Sequence, residues 1–147
     1  MYKLVLPFLL ILCISCEKNS DKLEFITGFG CGFCGGYDSL SITKSSMSYK
    51  LTYPCEQEEY SLNQETSEDD WEALKREFNW KDFEAVDVDV CHICVDGCDT
   101  WLIVKEEGRV HNIRWGTTEE EQIEDIRPIV DLLGTIKGRL YQDLDMK

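Results

Sequence analysis

The chain has 147 residues, a formal net charge of −14 at neutral pH, and 43% hydrophobic and 11% aromatic residues. This composition is typical of a folded chain, because disordered chains are poor in aromatic residues. The acidity excludes the basic stripe that nucleic-acid binding requires, and it disfavours contact between the folded domain and anionic lipid headgroups.

The first 16 residues have the pattern of an export signal. Lys3 supplies a positive charge, residues 4–12 are apolar, and Cys16 follows the small residue Ser15. The apolar run is shorter than the roughly 20 residues that a membrane-spanning helix needs. It therefore indicates a signal peptide and not a retained membrane anchor.

This segment resembles the lipobox-type signal of bacterial lipoproteins. The resemblance implies that residues 1–15 are removed, that Cys16 becomes the acylated N-terminus, and that residues 16–22 form a polar tether. It also implies export to the cell envelope, with a lipid anchor in the outer membrane as the contact with membrane. Ordinary secretion, with cleavage just before Cys16, is the alternative. A single α+β domain is expected over residues 23–147.

Three strands are predicted at the start of this domain. The first covers residues 23–27, and residues 39–43 and 47–53 form a β-hairpin. The second arm of the hairpin alternates with the period of a half-buried strand, and Pro54 ends it because proline cannot donate to a strand ladder. Its apolar face consists of Met47, Tyr49, Leu51 and Tyr53.

A helix and a further strand are predicted after a polar loop. Ser67 is a good N-cap and is followed by acidic residues, so a helix is expected over residues 68–79. Its apolar face consists of Trp71, Leu74 and Phe78. Alternation of valine with aspartate predicts a strand over residues 86–90.

The last part of the chain is predicted to contain a second hairpin and a broken helix. Residues 101–104 and 110–115 form the hairpin, and a capping-box pattern at residues 118–121 begins the helical region. Pro128 should break that region near Arg127. The following piece has one apolar face, made of Ile129, Leu133, Ile136, Leu140 and Leu144.

The predicted elements occur twice along the chain in the same order, which indicates a duplication. Residues 31–79 and 91–144 each contain a Cys-x-x-Cys pair, a hairpin and a helix with an acidic start. The predicted fold class is α+β, with one antiparallel sheet built from two β-hairpins and with helices packed on one face in a tandem ββα-like arrangement. Disulfide bonds are expected to stabilise it.

Disulfide bonds are the favoured use of the cysteines, because an exported chain enters a compartment where they persist. If the first hairpin turns at residues 45–46, paired positions sum to about 91 and Cys55 lies opposite Gly36. That register brings Cys55 close to Cys34 and predicts a bond between them, with the other cysteines pairing among themselves. The candidates are Cys31, Cys34, Cys55, Cys91, Cys94 and Cys98.

Two other chemistries compete for these cysteines. The two Cys-x-x-Cys pairs have the ligand spacing of a four-cysteine zinc site, made of Cys31, Cys34, Cys91 and Cys94. The segment from Cys31 to Cys34 is also similar to the thioredoxin active-site pattern, which implies thiol redox chemistry. That chemistry places the first cysteine at a helix N-terminus, whereas a β-patterned run follows here, so it is disfavoured.

The favoured function is non-catalytic binding of a protein or a small-molecule ligand, because no recognisable nucleophile, phosphate-loop or zincin motif occurs. No cofactor is expected, zinc being the alternative. The binding surface is expected on the solvent face of the sheet or on the glycine-rich loop of residues 28–36. In that loop, the simplest expectation is that the rings of Phe29 and Phe33 are buried in the core.

Overall fold

The structure of the chain, a computed structural model, describes residues 22–144. The predicted signal peptide of residues 1–15, the lipidation site Cys16 and the tether up to residue 21 lie outside the described residues. Within residues 22–144, no helix is both long enough and apolar enough to cross a membrane.

The domain contains one six-stranded antiparallel sheet with the strand order β4-β3-β2-β1-β5-β6. The first strand of the chain is therefore central, and each hairpin extends the sheet from one of its sides. The strands are β1 (Glu24–Cys31), β2 (Tyr37–Thr43), β3 (Met47–Tyr53), β4 (Glu58–Gln64), β5 (Cys98–Glu106) and β6 (Arg109–Trp115).

Both predicted hairpins are confirmed, and their turns differ in type. β2 and β3 turn at Lys44 and Ser45, because Thr43 donates its backbone N–H to the carbonyl of Ser46 at 2.9 Å. β5 and β6 turn at Glu107 and Gly108, which both have positive φ angles of 50° and 88°. Two positive φ values define the tight turn that matches the twist of a hairpin.

Strand β4 was expected to be a polar loop. In this strand, Tyr60 and Leu62 are half-buried on one face, and the remaining residues are polar and exposed. An edge strand has one neighbour and needs little apolar surface, so its sequence carries a weak signal. Consequently the first hairpin is part of a three-stranded meander.

The helical elements follow the strands in both halves of the chain. The predicted helix over residues 68–79 ends two residues earlier, at Glu77, and Asn79 caps a short second helix that was not predicted. The break at Arg127 is confirmed, but the segment before it is a 3₁₀ helix. The helices are α1 (Glu68–Glu77), α2 (Trp80–Ala85) and α3 (Arg127–Asp143), with 3₁₀ segments at Ile93–Val95 and Thr117–Ile126.

All of these helices pack on one face of the sheet, as predicted. Phe25 of β1 is fully buried and contacts the rings of Trp71 and Phe78 edge-to-face at 6.2 and 5.2 Å. α3 contacts α1 and β3, and its buried residues join the same core. One apolar cluster thus connects the inner faces of the strands to the helical layer.

The strand predicted over residues 86–90 is instead an extended segment beside β6. It forms a single parallel bridge, between Asp89 and Arg114, with backbone hydrogen bonds of 3.0 Å on either side. Val86 and Val88 are buried while Asp87 and Asp89 are exposed, so the predicted alternation is correct. The segment covers the edge of β6 without continuing the sheet.

Candidate functional site

All six cysteines of the domain lie at one end of the sheet, which we call the cysteine end. It is formed by residues 31–36, 54–57 and 91–98, because β1 and β3 end there while β2 and β5 begin there. The chain enters β1 at Glu24, at the opposite end of the sheet. Eight residues of β1 separate the two ends by about 23 Å.

Two disulfide bonds join separate strands and loops at the cysteine end. Cys31 and Cys98 are direct cross-strand partners in β1 and β5, with Cα atoms 4.0 Å apart. Cys34 is bonded to Cys55, with Cα atoms 5.1 Å apart, and this pairing was predicted. The Cys34–Cys55 bond ties the glycine-rich loop to the turn between β3 and β4.

The third disulfide joins Cys91 to Cys94 within one turn. This turn is also held by Asp99, which is 1% exposed and accepts hydrogen bonds from the backbone N–H groups of His92 and Ile93 at 3.0 and 3.1 Å. Gly32 donates its N–H to the carbonyl of Gly97 at 2.8 Å, which connects the two cysteine loops. The loops therefore form a single cross-linked surface.

Of the three chemistries considered for the six cysteines of the domain, the structure contains the disulfide bonds. The four candidate zinc ligands are distributed over three disulfides, so they do not form a four-thiolate group. Within residues 22–144, no group of three or more His, Cys, Asp or Glu side chains could hold a metal ion. Cys31 and Cys34, the thioredoxin-like pair, are bonded to different partners and not to each other.

Phe33 and Val95 project from the two cysteine loops into solvent. Phe33 is 87% exposed and Val95 is 80% exposed, so the expectation that Phe33 is buried is wrong; Phe29 is also 40% exposed. The φ angles of Phe33 and Cys34 are 40° and 64°, values that non-glycine residues seldom adopt. The disulfide at Cys34 holds the backbone in this conformation, which turns the Phe33 ring away from the core.

The solvent face of the sheet, the other predicted surface, has two aromatic rings over the glycines of β1. The ring of Trp101 covers Gly28, and the ring of Tyr37 covers Gly30, where a Cβ atom would lie 2.9 Å from Tyr37 Cε1. Both rings are half-buried. They fill the space left by the missing side chains, so glycine in the central strand serves packing on this face.

A carboxylate fixes the second cysteine loop against the 3₁₀ segment that follows β6. Glu119 accepts hydrogen bonds from Thr118 Oγ1 at 2.6 Å, from His92 Nε2 at 2.9 Å and from the N–H of Gly116 at 2.9 Å. These bonds, the one from Thr118 first, lower the pKa of Glu119 to about 2. The 118–121 pattern predicted Glu121 as the capping-box glutamate. The structure instead places Glu119 in that role, with Gly116 as the N-cap.

Sequence reasoning located the cysteine end but missed part of its surface. The glycine-rich loop was singled out by its composition, and its disulfide partner Cys55 followed from the hairpin. Val95 gave no signal, because one valine between two cysteines is as typical of a buried position as of an exposed one. No protein-family model matches the chain, and no curated protein is similar to it.

Proposed function

We propose that the chain is an exported, lipid-anchored domain of the bacterial cell envelope that binds another protein through the cysteine end. The proposed role is binding, because the side chains that project farthest into solvent there are the apolar Phe33 and Val95. The observation that carries the proposal is the exposure of Phe33 and Val95 on two loops that disulfide bonds hold in place.

The disulfide bonds support export. Three disulfides in a domain of this size are typical of proteins that fold outside the reducing cytosol. The signal-like pattern ending at Cys16 predicts the same compartment and adds the anchor. The zinc-dependent or thiol-dependent alternative requires cysteines that are free to ionise.

The direction of β1 supports a role for the cysteine end in recognition. The chain would leave the anchor at Cys16 and enter the sheet at Glu24, so the cysteine end would be the part of the domain farther from the membrane. A surface in that position is available to a partner in the aqueous phase. An acylated Cys16 would therefore leave Phe33 on the side of the domain that a partner can reach.

The rigidity of the two loops supports binding further. Large apolar side chains that project singly into water gain free energy when a partner covers them, and aromatic residues often dominate such interfaces. Loops that are already ordered lose little conformational entropy on binding. Phe33 meets both conditions, because its ring is exposed and because its left-handed backbone is next to the Cys34–Cys55 disulfide, which fixes the loop.

Site-specific photo-crosslinking in intact cells tests this proposal. With a benzoylphenylalanine in place of Phe33 or Val95, irradiation should give a discrete protein adduct. The matched control is the same photo-reactive residue at Val110, which is 59% exposed at the opposite end of the sheet and should give no such adduct. No adduct from position 33 or 95, or equal adducts from all three positions, would contradict the proposal.

A further inference from the structure

The exposed apolar side chains of the cysteine end are surrounded by carboxylates. Glu56 follows Cys55, which is bonded to Cys34, the residue after Phe33, and Glu58 and Glu59 begin strand β4. Asp96 follows Val95, and its Cα atom lies 2.9 Å from where a Cβ would lie at Gly32. All four carboxylates belong to exposed residues.

None of these carboxylates has a cationic partner among residues 22–144. Glu58 accepts a hydrogen bond from the hydroxyl of Tyr60 at 2.9 Å, and the other three have no ion pair. No ion pair within residues 22–144 therefore neutralises them.

Lys50 of β3 lies diagonal to Glu59 and is a single exposed lysine beside four carboxylates. Other cationic side chains near this end are paired with different carboxylates. Lys137 binds Asp38 at 2.9 Å, with both side chains mostly buried, and Arg114 binds Asp89 at 3.1 Å. His92 contacts Glu119. An excess of negative charge therefore surrounds Phe33 and Val95, in a chain that is acidic throughout.

We propose that the partner of the cysteine end is a basic protein surface, with lysine or arginine side chains around an apolar pocket that receives Phe33. This inference rests on the proposed binding function and names the chemistry of its partner. Opposite charges at the rim of an interface steer encounter and suppress wrong partners, while the buried aromatic residue supplies affinity. A second copy of the chain would bring like charges together, so it does not fit this surface.

The test is the photo-crosslinking experiment with charge-neutralised variants of the full-length protein. The acid variant carries Glu56→Gln, Glu59→Gln and Asp96→Asn, since asparagine tolerates the left-handed conformation of residue 96. The control variant carries Glu65→Gln, Glu68→Gln and Glu107→Gln, which removes the same number of exposed charges away from the cysteine end. Both variants carry benzoylphenylalanine at position 33.

The acid variant should give about tenfold less adduct than the control variant at low salt, because each exposed charge contributes a few-fold. Raising the salt from about 0.05 to 0.5 M should abolish most of that difference, since screening shortens the range of the charges. The adduct should map to a peptide rich in lysine or arginine. An adduct of equal yield in both variants, or one in an acidic peptide, would overturn this inference and leave the binding function standing. No adduct at all would overturn both.

Discussion

Replacing both Cys31 and Cys98 by alanine is expected to lower the free energy of unfolding by about 4 kcal/mol. The two residues are 67 positions apart, and cross-linking them removes the conformational entropy of a long loop from the unfolded chain. They also terminate the pairing of the central strand with β5. Urea unfolding of the purified domain, compared with wild type under non-reducing conditions, measures this cost.

The matched control is the double replacement of Cys91 and Cys94. Each pair contains one half-buried and one exposed cysteine, so the loss of side-chain packing is similar. Cys91 and Cys94 are only 3 positions apart and close a small loop, which predicts a cost of about 2 kcal/mol. An equal or larger cost for this pair would show that loop length does not decide the stabilisation.

The substitution Leu74→Ala should lower the free energy of unfolding by about 2–5 kcal/mol. Leu74 is fully buried in α1, on the face that packs with Trp71 against the sheet. Removing its side chain deletes apolar contacts and leaves a cavity that the surrounding residues fill only partly. Thermal or urea unfolding of the variant gives the value directly.

Arg76→Ala is the control for this prediction, because Arg76 is exposed on the same helix and forms an ion pair with the neighbouring Glu77. Its effect should stay within about 0.5 kcal/mol. If Leu74→Ala cost no more than Arg76→Ala, then α1 would not be packed on the sheet, and the single helical layer would be wrong.

The hairpin between β2 and β3 shows how far the sequence determines the cysteine end. The turn predicted at residues 45–46 gives pairs that sum to 91, whereas Tyr37 pairs with Thr52 and the observed sum is 89. A shift of two positions keeps every side chain on its predicted face. Continued beyond Tyr37, the observed register places Cys34 opposite Cys55, so the predicted bond forms although the predicted turn was displaced.

The features that the sequence did not predict depend on contacts between distant parts of the chain. β4 forms because β3 offers an unpaired edge, and its polar residues alone do not indicate a strand. Phe33 would ordinarily be assigned to a core. Its exposure follows from the Cys34–Cys55 bond and from the loop contact between Gly32 and Gly97, neither of which is a local property.

The duplication of residues 31–79 and 91–144 stays a prediction. Both halves place a hairpin in the same sheet and their helices on the same face. The halves differ in their cysteine pairs, since Cys91 is bonded to Cys94 while Cys31 is bonded to Cys98. The first half also contains β4, which has no counterpart before the 3₁₀ segment of the second half.

The most direct test of a lipid-anchored, disulfide-bonded envelope domain is the intact mass of the protein extracted from membranes, after thiol alkylation without reduction. The account predicts a chain that begins at acylated Cys16 and takes up no alkyl groups, because Cys31, Cys34, Cys55, Cys91, Cys94 and Cys98 are all oxidised. The variant Cys16→Ala should carry no lipid. A wild-type chain without lipid, or one with alkylated cysteines and bound zinc, would contradict the account.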